Sequence, residues 1–441
     1  MVLRIGDHDV PLDRHSAEAA LAAARTAVRA EVASQSVGLK RVFAVLTVVI
    51  VLGVLAAILT VPPGTEVFGT TPAVEWGLLI ASYVFLVVTT SGLCLVSSLG
   101  MVFGVDRFKP VEMRHVVLAL LFLLAGFGVI ALDLHYPIRL IFGVILSPAP
   151  SSPMWWMGTV YAIYLGVLVF ELVTNLAGFA RLAHAACIVS SCVAIAAPTT
   201  LGLVFGSLVS RPFWQGSVAP VYLIVTAMLS GASVLGIVFV FVQRMRLPGH
   251  GPEALGVIVG VRRLLLVLLT LVTAYTGLRT LAALTIGGAA ERDAVLALVT
   301  GPLGPQSWVF RIAIGLVAPL LLLARPGRRP GVALFAASWL ILVGVFVDRL
   351  SFVTAGQIAP STAASGIVSA PYATYLPSLD EIGIVAGAIA VVALVYVIAE
   401  RFVDLSSPGG PGDVHGRRVT GAALLRRRFA VTAPVAPEAG R

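Results

Sequence analysis

Residues 83–92 read YVFLVVTTSG, and residues 222–231 read YLIVTAMLSG. In each, a tyrosine is followed eight residues later by Ser-Gly, and the two stretches lie 139 positions apart. Trp76 precedes the first tyrosine by seven residues and Trp214 the second by eight. The next apolar run of each half ends in YPIRL (136–140) and TGLRT (276–280), which sets Arg139 against Arg279. The fourth run of each half ends in VSRPFW (209–214) and VDRLSF (347–352), which sets Arg211 against Arg349. Three coincidences at nearly one offset read as an internal repeat. Four apolar runs separate the copies, so both cross a membrane in the same direction, with the pseudo-axis along its normal. The expected fold is all-α: a polytopic membrane protein with two parallel-repeat four-helix bundles and two flanking helices. Ser91-Gly92 and Ser230-Gly231 suit close helix crossings, because small residues let backbones approach.

Composition supports the membrane reading. Of 441 residues, 59% are hydrophobic and 12% charged, against about 45–50% and about 25% in soluble domains. Ten runs approach spanning length: 42–61, 74–103, 116–135, 154–176, 185–208, 219–242, 257–283, 306–324, 332–349 and 381–401. The six segments on the side of the N-terminus hold 24 of the 30 Lys and Arg, among them Lys40, Arg41, Arg107, Lys109, Arg114, Arg262, Arg325 and Arg426–Arg428. That asymmetry expects both termini in the cytoplasm of a multi-pass protein of the bacterial inner membrane. It also accounts for the net charge of +9 without nucleic acid. The expected organisation is a cytoplasmic N-terminal helix or tail (1–41, with SAEAALAAARTAVRAEV helical), a flanking span and outer loop (42–73), a first bundle (74–218), a second (219–350), an outer loop and flanking span (351–403), and a basic disordered tail (404–441). No cleavable signal is expected, since the first apolar run has no small-residue cleavage site after it.

Ionisable groups inside a membrane are functional candidates by default. At the outer ends of the second to fourth spans stand Glu75, Trp76, Tyr83, Asp133, His135, Tyr136, Arg139, Trp155, Trp156, Tyr161 and Tyr164. Such a set suits a quinone: aromatic or apolar walls for the ring, donors for two carbonyls, and an acid beside a histidine to relay protons. Trp155 and Trp156 fit an interfacial aromatic belt better than a site. In the inner half, Glu171 and Asn175 share a helix face at i,i+4, and Glu171 is a candidate start for a proton path. His115 and His184 are conceivable haem ligands, but each follows charged residues and reads as part of the cytoplasmic collar. Cys94, Cys187 and Cys192 read as small core residues, outside any metal or cluster spacing. No nucleotide-binding motif is present.

WGLLIASYVFLVVTTSGLCLV (76–96), LDLHYPIRL (132–140), SPMWWMGTVY (152–161) and VDRL (347–350) resemble the polysulfide reductase membrane subunits, the NrfD-like family, in its longer ten-helix branch. The resemblance covers about residues 74–350. It implies a membrane subunit of a respiratory redox complex that binds quinone, menaquinone or ubiquinone, near the periplasmic face. It further implies electron exchange with a ferredoxin-like iron–sulfur subunit and a catalytic or cytochrome subunit. The family's D-L-G-R-P-x-R sequence is matched by Asp133, Leu134, Pro137 and Arg139, while His135 and Tyr136 replace its glycine and first arginine. The resemblance also implies quinone contacts from the outer ends of the second and fourth spans, where Tyr83 and Tyr161 are the matching residues. This chain carries no cluster-binding cysteine pattern, so its electrons are expected from a partner polypeptide.

The same offset sets Asp133 against Thr273 and His135 against Tyr275, neither of which titrates near neutral pH. If one bundle holds quinone, it should be the first, with Asp133 and His135 as the catalytic pair. Two alternatives stand. A secondary transporter needs polar groups near the midplane, where the sequence shows few. A passive anchor for a redox complex needs no site.

Overall fold

A computed structural model of the chain describes residues 2–5, 8–11, 37–60, 67–134, 147–215, 218–245, 251–325, 330–359, 372–402 and 405. Val2–Ile5 pairs antiparallel with His8–Pro11 in a small hairpin. The other elements among the described residues are helical. The Ala-rich N-terminal segment, the basic tail, and His135, Tyr136 and Arg139 lie outside the described residues.

Ten helices among the described residues are long and apolar enough to cross a membrane. They are α1 (Val37–Thr60), α2 (Leu78–Met101), α3 (Glu112–Asp133), α4 (Pro153–Ala177), α5 (Ala180–Gly206), α6 (Val218–Met245), α7 (Pro252–Thr285), α8 (Gly304–Ala324), α9 (Pro330–Ile358) and α10 (Leu379–Phe402). Local sequence explains several boundaries. Ser152 caps α4 by accepting from the Trp155 N–H, Pro153 occupies the first turn, and Gly178 closes the helix at φ 74°. A short helix, Ala289–Val299, bridges α7 and α8 on the side where α3 ends. That side is the Asp133 end below, and the opposite side the Arg114 end.

The helix pairing repeats. In the first half α2 packs on α3 and α5, and α4 on α5; in the second, α6 packs on α7 and α9, and α8 on α9. The halves join through α2 on α6, with α5 on α6 matched by α9 on α2. α1 lies against α10, and α10 against α3. Almost every residue of α2 is buried, whereas α1 leaves Val45, Leu52 and Ile58 exposed, as an apolar helix facing lipid should. At the crossing of α2 and α6, a Cβ on Gly92 would overlap the Ala227 carbonyl, and one on Gly231 the backbone of Gly92. The two Ser-Gly pairs are thus the contact itself. Trp76 and Trp214 also meet, stacked at 5.4 Å between ring centroids.

Two expectations change. α9 runs to Ile358 instead of ending near 349, because Arg349 finds partners inside the protein and its helix has no need to stop at the interface. Arg349 is therefore fully buried, nine residues before the helix end, while Arg211 lies in a turn beyond α5 with Nη1 on the Gln357 carbonyl (3.1 Å). They are not equivalent arginines at helix ends. Cys192 is exposed on α5, whereas Cys94 and Cys187 are buried.

Candidate functional site

Tyr83 on α2 and Tyr161 on α4 meet near the Asp133 end. Both are buried, with ring centroids 6.4 Å apart and planes at 61°. The Tyr161 hydroxyl has no protein hydrogen-bond partner among the described residues, although buried hydroxyls nearly always find one. Arg349 lies within electrostatic reach of it. Asp133, half-buried at the end of α3, sits in the field of Glu381 at the start of α10.

Glu381 anchors this end. Its Oε2 accepts from the N–H groups of Gly69 (3.0 Å) and Ser378 (2.8 Å), and its Oε1 from the Tyr375 hydroxyl (2.7 Å). Tyr375 in turn accepts from the Leu78 N–H (2.6 Å), one of the donors left over at the start of α2. Burial, reinforced by the Glu381 carboxylate, holds the Tyr375 phenol well above its ordinary range. Gln357 holds Trp76 on both sides, accepting from its N–H and donating to its carbonyl (2.9 Å each).

Toward the Arg114 end, His115 Nε2 stands 3.4 Å from Glu171 Oε1, and both side chains are buried. Neither ring nitrogen of His115 and neither oxygen of Glu171 has an aligned hydrogen-bond partner among the described residues. Cys94 lies against both His115 and Tyr164, and Glu112 lies beside the pair. Tyr164 is fully buried and donates to the Thr90 carbonyl at 3.5 Å. Glu171, His115, Cys94, Tyr164, Tyr161 and Tyr83 thus form a polar file through the first bundle. Its spacings exceed direct hydrogen bonds in places, and ordered water is what satisfies buried groups of this kind.

The family model described as "Polysulphide reductase, NrfD" matches residues 66–361. The chain belongs to the NrfD family. It is a multi-pass membrane protein. A subunit of the selenate reductase of Mesobacillus selenatarsenatis is 22% identical, over 83% of this chain and 94% of that protein. A putative dimethyl sulfoxide reductase membrane subunit of Halobacterium salinarum is 26% identical, over 80% and 91%. The Hdr-like menaquinol oxidoreductase integral membrane subunit of Archaeoglobus fulgidus is 21% identical, over 82% and 92%.

Within this NrfD chain the structure brings together Tyr83 and Tyr161, and separately Glu171 and His115. Of the remaining candidates, Asp133 lies within electrostatic range of Glu381, and His135, Tyr136 and Arg139 fall outside the described residues. Asn175 shares the face of Glu171, as the spacing expects, but its Nδ2 donates to the Glu171 backbone carbonyl (3.0 Å). His115 is not a collar residue: it is fully buried, because α3 turns it inward onto α4. His184 stays exposed on α5. Trp156 is 46% exposed with its indole N–H on the Pro150 carbonyl (2.8 Å), as a belt residue would be.

Sequence reading missed the charge inside the second bundle. Asp348 Oδ1 pairs with Arg311 Nε (2.6 Å), and its Oδ2 with Arg349 Nη1 (3.2 Å). Tyr222 donates to Asp348 Oδ2 (2.5 Å), and Arg349 Nη2 donates to Thr226. Asp348 lies ten residues before the end of α9, about 15 Å at 1.5 Å per residue. Charge near mid-depth is therefore substantial, and the second half has an acid of its own. The available signal is an Asp-Arg dipeptide at the edge of an apolar run, and it reads equally as an interfacial collar.

Proposed function

We propose that this chain is the quinone-reactive membrane subunit of a respiratory redox complex. It binds quinone or quinol between α2, α3 and α4 near the Asp133 end. The carrying observation is the orphaned, fully buried Tyr161 hydroxyl beside Tyr83. An apolar, aromatic-walled site with an unused donor is what a ring carbonyl needs. Tyr83, Tyr161 and Asp133 would hold the ring, with His135, Tyr136 and Arg139 following on in sequence. When bound, the quinone supplies transfer of two electrons and two protons.

The chain's own residues orient the ring, exclude water and move protons. Asp133 and His135 exchange them at the outer side. Glu171 and His115, with Asn175 holding the Glu171 backbone, open a proton file from the Arg114 end toward Tyr161. The relatives' names include a menaquinol oxidoreductase and two reductase subunits. They support a membrane subunit of a reductase or oxidoreductase complex; in the proposed complex, electrons pass through an iron–sulfur partner subunit and a catalytic or cytochrome subunit, as the family resemblance implies. The Lys and Arg distribution supports placing the Arg114 end and both termini in the cytoplasm, with the Asp133 end periplasmic.

The test is quinol turnover by the purified complex. Asp133→Asn, His135→Gln and Tyr161→Phe should each cut turnover strongly while the complex still assembles; normal rates in all three would sink the site. A second reading, a secondary transporter, is favoured by one observation, the Arg311–Asp348–Arg349 cluster deep in the second bundle. Solute uptake by proteoliposomes holding this chain alone would select it. A complex that assembles and reacts with quinone through other subunits only would select a passive anchor.

A further inference from the structure

A cavity of about 180 Å³ opens at the Asp133 end of the second bundle, between α7, the start of α8 and the short helix Ala289–Val299. Phe213, Leu298 and Trp308 give it an apolar wall, and Thr276, Arg279 and Arg311 a polar one. A narrower cleft, also lined by Thr276 and Arg311, leads inward to Tyr222 and Asp348.

The charges around this space do not balance. Among the described residues, the charged ones lining the cavity and cleft are Arg279, Arg311 and Asp348. Arg311 must share Asp348 with Arg349 (2.6 and 3.2 Å). Arg279 has neutral company in Phe213 and Tyr275. Its Nη2 donates to the Phe213 carbonyl (2.8 Å), and the guanidinium lies 4.5 Å above the Phe213 ring. Three guanidinium groups thus meet one carboxylate. Arginine does not shed its proton, and Arg279 and Arg311 are both partly shielded from solvent, where a facing anion stabilises them. Thr276, on the wall common to cavity and cleft, is 8% exposed, and its hydroxyl has no protein partner among the described residues. Arg311 is carried by a run of π-helix, Ser307–Val317, a geometry frequent at functional sites.

We propose that this cavity binds a phosphate-type oxyanion. Arg279 and Arg311 are its charged donors and the Thr276 hydroxyl a third. The anion is carried by an acidic phospholipid headgroup or comes free from water. The volume holds a phosphate ester and not a whole lipid, and Leu278 and Leu281, exposed on α7 beside it, offer an apolar track for an acyl chain. The assignment does not rest on the quinone reading.

Thermal unfolding of the full-length chain tests it, in nanodiscs of phosphatidylcholine, of phosphatidylcholine with phosphatidylglycerol, and of phosphatidylcholine with added inorganic phosphate. A site near saturation raises the wild-type midpoint by about 4 °C or more. A response to phosphatidylglycerol alone makes the anion lipid-borne; a response to both makes the free anion sufficient. Arg279→Gln should lose most of the shift, and Arg211→Gln, on the same face outside the cavity, should keep it. Should Arg279→Gln fail to fold, Thr276→Val keeps every charge and should weaken phosphate binding about five-fold, the loss of one hydrogen bond. No shift in the wild type, an undiminished shift in Arg279→Gln and Thr276→Val, or a shift produced by a neutral short-chain quinone instead of phosphate would each overturn the proposal.

Discussion

Gly92 and Gly231, equivalent positions of the sequence repeat, touch backbone to backbone where α2 crosses α6. The contact joins the two bundles, and Thr89 reinforces it by donating to Ser230 (3.0 Å). A side chain at either glycine has no space to enter and must push two central helices apart.

Gly92→Val or Gly231→Val should therefore cost more than the usual ~1–3 kcal/mol of overpacking, because the obstacle is backbone. Detergent-solubilised yield by size exclusion and the unfolding midpoint should both fall sharply. Gly166→Ala on α4, where an added Cβ meets nothing within 4 Å, is the control. It should be neutral or stabilising by up to about 1 kcal/mol.

Arg114 and Glu400 form a buried pair that ties α3 to α10. Arg114 Nη2 stands 2.7 Å and Nε 3.1 Å from Glu400 Oε1, and Tyr396 donates to Glu400 Oε2 at 2.7 Å. Glu400→Ala removes the carboxylate that faces the buried Arg114 guanidinium, and the expected cost is about 3–5 kcal/mol. Removing both charges with Arg114→Met and Glu400→Leu should recover most of it. A thermal double-mutant cycle measures this, and additive losses would contradict it.

Glu171→Gln keeps the side chain's size but takes the carboxylate from the buried His115, 3.4 Å away, so the unfolding midpoint should fall modestly. Quinol turnover by the complex should still fall about 100-fold, the scale of a lost proton-transfer group. Asn175→Ala, which removes only a bond to the Glu171 backbone, should lose far less. Stopped-flow quinol oxidation separates the two, and equal rates for Glu171→Gln and wild type would remove Glu171 from the proton file.

The Tyr375 phenol carries the clearest pH signature outside the spans. Its folded pKa lies above the unfolded value, through burial and the Glu381 carboxylate, so the folded state favours the protonated phenol. The stabilisation is complete below the unfolded pKa, near 10, and is lost as pH rises beyond it. Melting curves between about pH 9 and 11 should fall more steeply for wild type than for Tyr375→Phe. At neutral pH that variant should be about 1–3 kcal/mol less stable, because the Leu78 N–H and the Glu381 carboxylate each lose a partner.

Much of the architecture was legible in the chain. The ten apolar runs and the 139-residue offset led to ten helices, and the two Ser-Gly pairs to close helix crossings, because hydropathy and small-residue spacing are local properties; that α2 and α6 cross each other at those pairs came from the structure. The edges were less secure. A run of apolar residues shows where lipid is tolerated, and α9 continues for nine residues past that point because its polar side chains are met by other helices. The candidate site was legible in part. Tyr83 and Tyr161 were placed on the second and fourth spans of one bundle and do meet, while Asp133 came within electrostatic range of Glu381, from the far end of the chain.

The sequence by itself determined that this is a membrane protein, how many times it crosses, which residues repeat, and which family it resembles. Only the tertiary structure decided the fate of the ionisable groups. His115 and Arg114 looked like neighbours in a charged loop; packing buries both and hands them to Glu171 and Glu400. Arg349 looked like a collar residue, and packing buries it with its neighbour Asp348 against Arg311 and Thr226 from other helices. The physical reason is that burying a charge depends on its partner. The partners here lie 56 residues away for His115 and Glu171 and 286 for Arg114 and Glu400, beyond the reach of any local pattern.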